Sequence, residues 1–419
     1  MDYDYYEDMA KRRKAFRAKW PDESPSPPPA EVPRAVQPMQ PNRTQPYEIV
    51  DLGMSSPESI PQSPPPNPLK RPRANNTDVT MTESPTDEAR QPPEWYNKLR
   101  IEAPLVKASR KDTRNGPTLA KISGIKGACK TCEEAPMGDL TEQFVTLRNL
   151  IHDMEFLTVD QYLIRATRML ENRIGLPRIF DLNFTKGVNY PWDIKLDAEQ
   201  LHTRWCRGVF SIDILHGIKR AYNRNRDGQR NADKIDPEYK KRLYANHYGQ
   251  GNLINGQWWP TQLCTLRDGA HGSAQGGIFG EKNRGTYSIV VSGGHKYGDK
   301  DEGEEIWYTG TDGTDETPTE NTKRLFESCE MPENEKEPVR VIRSWNLNKE
   351  NKYRPAGGFR YDGLYDVVES EPVNKNLGMY KFLLVRRAGQ DPIRFEGVEM
   401  RPTQQELNAY KKLQQDDRI

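Results

Sequence analysis

Cysteine is scarce in this chain, with five in 419 residues. So few thiols do not make a disulfide framework, and a reducing compartment is expected. One pair is closely spaced, Cys129-Lys130-Thr131-Cys132. Zinc wants about four ligands, and the next cysteine is Cys206, so no metal or other cofactor is expected there. His152, His202 and His216 form neither an i, i+4 pair nor an HExxH motif, which points away from metal chemistry. There is no apolar run of 18 residues, so no membrane-spanning helix is expected. The start, Met1 to Asp8, is acidic and aromatic, unlike a secretory signal. Charge of one sign is also missing: 62 Lys and Arg balance 61 Asp and Glu, for a net +1. Apolar residues make up only 34%, and mean hydropathy is −0.94. A single globule of this length carries more apolar side chains, so two or three domains plus an unstructured stretch are expected.

Proline is what the first third has in quantity. More than half of the 33 prolines precede residue 100. Pro27-Pro28-Pro29 and Pro64-Pro65-Pro66 favour extended backbone and forbid helix ladders. Apolar residues there lack a period, so residues 1–136 read as a disordered, Pro-rich arm. Two basic clusters interrupt it, Lys11-Arg12-Arg13-Lys14 and Lys70-Arg71-Pro72-Arg73. Each reads either as a nuclear import signal or as a solvated charge run.

A helical period begins near Met137. Phe144, Leu147, Leu150, Ile151 and Met154 share one face, then Val159, Leu163, Ala166, Leu170 and Ile174 share another. A third helix is predicted over Asp197 to Asn223, with Gly175 to Pro191 as a connector. Residues 137–248 therefore read as a small helical module. Its last part, Lys219 to Arg242, is basic, and reads either as a phosphate-contacting arm or as a solvated linker.

From Gly249 the pattern turns to short β-rich runs separated by Gly and Asp clusters: Tyr287 to Val291, Glu305 to Thr309, Val339 to Arg343, Leu364 to Val368, and Phe382 to Val385. Such runs predict a curled antiparallel sheet or partly open barrel. Thr403-Gln404-Gln405-Glu406 has the pattern of a capping box and predicts a terminal helix to about Leu413. The fold class expected is α+β, divided as arm 1–136, helical module 137–248, β domain 249–395 and tail 396–419.

Within the β domain several short motifs stand in order. They are Gly277-Ile278, Tyr287 to Val290, Ser292-Gly293-Gly294, the acidic Asp299, Asp301 and Gly303, and Tyr308-Thr309-Gly310. Asn321-Thr322-Lys323-Arg324-Leu325, Pro338 to Arg343, Lys352-Tyr353-Arg354-Pro355 and Tyr361-Asp362-Gly363-Leu364-Tyr365 follow. Together they resemble the SRA-YDG (SET and RING associated) domain, a PUA-like fold. The resemblance implies a nuclear reader of double-stranded DNA at modified CpG, one that swings a methylated or otherwise modified cytosine into a pocket. Tyr308 is implied as one aromatic wall, Asp299 as acceptor for the cytosine amino group, and backbone around Thr309 as reader of the remaining edge. Gly277, Gly293 and Gly294 allow close approach. His295 stands where relatives place Tyr, with Tyr297 two residues on, so either ring is a stacking candidate. Gln275 is implied as the residue filling the place of the flipped base. Tyr361-Asp362-Gly363 reads as a tight turn with packing tyrosines rather than as a catalytic motif.

With no RING, PHD or SET segment, no enzymatic activity is expected. Chromatin proteins are expected partners through the arm and the helical module. The alternatives are a chromatin-associated scaffold that keeps the fold without base flipping, a recruiter for a separate ubiquitin ligase or methyltransferase, or a nuclease component.

Overall fold

Seven helices precede the sheet in the computed structural model, which describes residues 91–99, 103–221, 232–293 and 298–416. They are α1 (Glu94–Lys98), α2 (Ala103–Lys111), α3 (Gly116–Glu134), α4 (Thr141–Met154), α5 (Gln161–Thr167), α6 (Pro177–Phe180) and α7 (Trp192–Cys206). Their apolar faces meet in one cluster that includes Tyr96, Ile122, Ile125, Leu147, Ile151, Leu163, Ile194, Leu201 and Trp205. Start signals are local. The Asp160 carboxylate accepts from Leu163 N at 2.7 Å and caps α5, and Pro117 lies in the first turn of α3.

Three expectations need correction here, for the arm, the third helix and the connector. The arm expected to be disordered through residue 136 contains α1, α2 and α3, while residues 1–90 lie outside the described residues. On α3, Ile122, Ile125, Cys129 and Cys132 recur at helical spacing and are buried. Small residues between them dilute the apolar signal and also allow close packing. A Cβ on Gly124 would lie 3.0 Å from Leu150 Cδ1 of α4. The two cysteines are thus core side chains, and burial pushes the Cys129 thiol up to about 11.

The helix predicted over Asp197 to Asn223 ends at Cys206, because Gly208 takes a left-handed conformation (φ +66°). Leu215 and Ile218 leave the helical core and pack with Trp259, Cys264 and Tyr361. The described residues of 207–248 hold no helix; they carry a short antiparallel pair, β1 (Ile218–Lys219) and β2 (Lys234–Ile235). The expected connector 175–191 contains the short α6.

The sheet comprises β3 (Trp258–Trp259), β4 (Ile278–Glu281), β5 (Gly285–Val291), β6 (Lys300–Asp301), β7 (Glu305–Thr309), β8 (Val339–Ser344), β9 (Phe359–Asn374) and β10 (Met379–Arg386). Strand order is β4-β5-β8-β9-β10-β7-β6, with β3 paired to β9. Every pair is antiparallel except β5 with β8, where Ile289 faces Val341. That parallel pair needs a crossover, and α9 (Glu320–Glu330) lies within it. Strand β5 is buried along its whole length, as its near-continuous β-branched run requires. The remaining helices are α8 (Gln262–Arg267), before β4, and α10 (Gln404–Gln415), whose capping box at Thr403 and Glu406 is formed.

The sheet curls without closing. Gly277 immediately precedes β4 at one end of the strand order, and Tyr308 lies on β7 near the other end. Yet a Cβ placed on Gly277 would be 2.6 Å from Tyr308 Oη. A tyrosine side chain spans the gap where a closed barrel would have a strand ladder.

Residues Asp87–Ile419 form one compact unit. Asp197 of α7 is buried between two arginines from the chain after β10. Arg394 donates through Nη1 at 2.5 Å and Nη2 at 2.9 Å, and Arg401 Nη1 at 2.9 Å. His152 Nε2 of α4 lies 2.7 Å from the same carboxylate. The two guanidinium groups hold the Asp197 carboxyl well below the usual range even though burial opposes ionisation.

Candidate nucleic-acid interface

Position 299 lies on the strand-like approach to β6, in a loop nailed down by its neighbour. Asp301 accepts from Arg343 Nε at 2.8 Å and Nη2 at 2.7 Å, with both side chains buried. Arg343 Nη2 also donates to Gly303 O at 2.8 Å, and Tyr365 Oη donates to the same carbonyl at 2.7 Å. Gly303 has φ +85°, and a Cβ there would strike the Tyr353 ring at 2.2 Å. The acidic loop is therefore fixed at 301–303.

Asp299 projects toward β7. Its Oδ1 accepts from Thr309 N at 2.7 Å. Burial raises the Asp299 carboxyl above the usual value, against the lowering pull of that amide. That hydrogen bond takes up the Thr309 N–H and orients the carboxylate as an acceptor. Cytosine presents an amino donor on its Watson–Crick edge, which a carboxylate held in this way accepts.

Tyr308, one residue earlier, pairs with Phe382 across β10 and is 6% exposed. It belongs to the core that includes Ile278, Ile289, Leu325 and Phe382. Its hydroxyl end reaches Gly277, whose lack of a side chain leaves the room. So Tyr308, Thr309, Asp299 and Gly277 come together. Gly293 (φ +60°) is placed by contact with Leu347 instead, where a Cβ would lie 3.1 Å from Leu347 Cα. Gly294, His295 and Tyr297 lie outside the described residues.

Gln275 is exposed on a loop held at both ends. Ser273 Oγ accepts from Gly276 N at 2.7 Å. Gln262 Nε2 of α8 donates to Ser273 O at 3.2 Å and Gly276 O at 2.8 Å. His271, fully buried, lies 2.8 Å through Nε2 from Gly276 O and 2.8 Å through Nδ1 from Ser288 Oγ. The carbonyl requires Nε2 to carry the proton, so Ser288 donates to Nδ1. Burial pushes His271 down to about 4, so the ring is neutral at physiological pH and this bracing is constant there. A short loop tip clamped in this way presents its side chain without a large ordering cost.

Tyr361-Asp362-Gly363 is not the tight turn expected from sequence. It lies inside the 16-residue β9, where Gly363 adopts φ +110°. Asp362 is fully buried and accepts from Arg360 Nε at 2.6 Å, Arg360 Nη2 at 2.9 Å and Arg343 Nη1 at 3.0 Å. The motif thus joins the loop anchor at Asp301 to the middle of the sheet through Arg343.

Sequence reasoning missed Gln262, His271, Ser273 and Arg343. A charge at the end of the mostly apolar Val339–Ile342 run was the available signal for Arg343; nothing local marked Gln262, His271 or Ser273. The predicted basic stretch has its middle, residues 222–231, outside the described residues.

Residues 247–390 match the family model of the SAD/SRA domain. The chain is similar to the E3 ubiquitin-protein ligase UHRF1 of Rattus norvegicus, 32% identical over 200 residues, covering 39% of this chain and 26% of that protein. It is similar to E3 ubiquitin-protein ligase UHRF2 of Mus musculus, 34% identical over 185 residues, with 37% and 23% covered. A UHRF1-like protein of Cryptococcus neoformans is 36% identical over 138 residues, with 29% and 39% covered. The matched region thus spans about a quarter of the length of the ligases. Among solved structures, the SUVH5 SRA complex with hemimethylated CG DNA is 30% identical, covering 35% of this chain and 98% of that one, with a TM-score of 0.28. The modification-dependent TagI restriction endonuclease is 28% identical, covering 36% and 59%, with a TM-score of 0.30.

Proposed function

Residues 247–390 are a SAD/SRA domain, and from that premise we propose that the protein reads modified cytosine in duplex DNA by drawing the base out of the helix. The observation that carries this reading is the Asp299 carboxylate, held by the Thr309 N–H at 2.7 Å next to Tyr308 on the same strand. An intact duplex hides the Watson–Crick edge, and only an extruded cytosine offers its amino group to such a carboxylate. Extrusion costs a few kcal/mol of stacking and pairing. Charge-assisted hydrogen bonding to Asp299, shape fit around the methyl group and aromatic stacking offset it. Tyr308 supplies a rigid wall, backed by the core and by Gly277. Gln275, on its braced loop, enters the space the base vacates.

The reading is of a binding protein rather than an enzyme. It places the protein in the nucleus, with the Lys11–Lys14 and Lys70–Arg73 clusters as import signals and chromatin proteins engaged through the arm and helices. A second reading draws on the burial of Tyr308: a chromatin-associated scaffold that keeps the fold and leaves DNA bases paired. Titration of unmodified, hemimethylated and fully methylated CpG duplexes at fixed salt separates the two. The reader binds a methylated duplex several-fold more tightly than the unmodified one, and Asp299→Ala removes the difference while keeping nonspecific binding. Equal affinities for all three duplexes, or a preference that survives Asp299→Ala, contradict the reading.

A further inference from the structure

Where α7 ends against the segment before α8, a cavity of about 120 Å³ opens between the helices and the sheet. Its wall includes Glu155, Gln200, Arg204, Arg207, Ile254 and Trp258. Three polar atoms on it are buried and make no hydrogen bond within the protein: Glu155 Oε1, Gln200 Oε1 and Arg204 Nε. Buried polar groups are ordinarily paired, and three orphans on one wall mark a place built to meet something.

The charges there are lopsided. Arg204 Nη1 donates to Glu155 O at 3.1 Å, and its Nη2 donates to Ser211 O. Arg207 Nη2 donates to Lys241 O at 2.9 Å, and Lys241 Nζ donates to Gly208 O. All these acceptors are backbone carbonyls. Among the described residues, none of the three cations is paired with a carboxylate. Arg267, also on the wall, is already neutralised by Asp268 at 2.7 Å. Burial lowers the affinity of Arg204 for its proton, and burial with Arg207 lowers that of Lys241. Of the carboxylates on the wall, Asp268 is paired with Arg267 and Glu406 with Arg401, and burial raises the Glu155 carboxyl toward its neutral form, so Arg204 and Arg207 favour an anion.

The orphans narrow the class. Arg204 Nε offers a donor, whereas Gln200 Oε1 and Glu155 Oε1 accept, so the ligand must bring both an oxyanion and a hydrogen. A carboxylate has no hydrogen to give; hydrogenphosphate and protonated phosphate monoesters do, since their second pKa lies near 6. A 150 Å³ cavity holds a benzene ring, so the smaller space here takes a phosphate carrying no more than a methyl-sized group against Ile254 and Trp258. We propose that this junction is a binding site for a phosphate group on a small molecule, held by Arg204 and Arg207 and oriented by Gln200. The site shares no residue with Asp299, Thr309, Tyr308 and Gly277.

The test is calorimetric titration of the full chain with potassium phosphate, methyl phosphate and acetate, each against potassium chloride of matched ionic strength. Saturable binding of both phosphates, about tenfold tighter than acetate, is expected. Arg207→Gln, at a partly exposed position, should weaken phosphate binding about tenfold without lowering the ligand-free melting temperature. Arg204→Gln should abolish it. No phosphate binding beyond the chloride control overturns the proposal, as does binding unchanged by Arg207→Gln. Acetate binding as tightly as phosphate overturns the phosphate assignment. Displacement of bound phosphate by a short unmodified duplex would make the site a DNA-backbone contact and likewise overturn it.

Discussion

Asp299 holds a charge where the protein makes ionisation costly. Its carboxyl is raised above the ordinary Asp value by burial, so the folded state binds a proton more readily than the unfolded chain. The contribution to stability is therefore greatest below the unfolded value near 3.9 and is lost as pH rises through the raised, folded value. At neutral pH the ionised side chain is a net cost that a bound base repays. Asp299→Asn keeps an acceptor for Thr309 N but turns an amide donor toward the cytosine amino group. We expect the variant to melt no lower than the wild type by calorimetry at pH 7. Its affinity for methylated duplex should fall about 10- to 100-fold, the worth of one charged hydrogen bond. A lower melting temperature with intact affinity would mark Asp299 as a structural residue.

At the scale of elements, the loop carrying Asp299 is positioned by strands it does not pair with. Asp301 links it to β8 through Arg343, and Asp362 of β9 holds the far side of the same guanidinium. Removing Asp301 leaves Arg343 short of one buried carboxylate, which costs about 3–5 kcal/mol. Asp301→Ala should lower stability by that amount in urea unfolding and should weaken methylated-DNA binding in the fraction that remains folded; unchanged stability would show that the anchor lies elsewhere. This linkage explains what was legible beforehand. The five strand runs were readable, since β-branched clusters between turn residues report burial directly. Asp299, Tyr308, Thr309 and Gly277 were named from ordered motifs, and the structure gathers them. Asp362-Gly363 misled because Asp-Gly resembles turn chemistry, whereas the aspartate answers two buried arginines and the glycine bends a long strand. The bracing of Gln275 by Gln262 and His271 was invisible because it joins residues whose neighbours in sequence carry no pattern.

For the unit as a whole, helices and sheet share a charged lock. Asp197 of α7 meets Arg394, Arg401 and His152, and Arg401 continues to Glu406 at the start of α10. Neither the helical period nor the strand pattern foretold it, because the partners lie about 200 residues apart and each reads alone as a surface charge. Asp197→Ala leaves two arginines buried without their counter-charge, and a loss of about 3–5 kcal/mol is expected. Scanning calorimetry should then show the helical module and the sheet melting in separate steps; a single, unshifted transition would mean the lock contributes nothing. The SAD/SRA domain of this chain is thus bolted to its preceding helices.

Whether a base leaves its stack is read most directly by 2-aminopurine placed beside 5-methylcytosine in a CpG duplex, with emission followed as the protein is added. Unstacking of the neighbouring cytosine relieves the quenching of 2-aminopurine, so the account predicts a saturable rise in emission with wild type and none with Asp299→Asn at full occupancy. Tight binding of the methylated duplex with emission unchanged would contradict it.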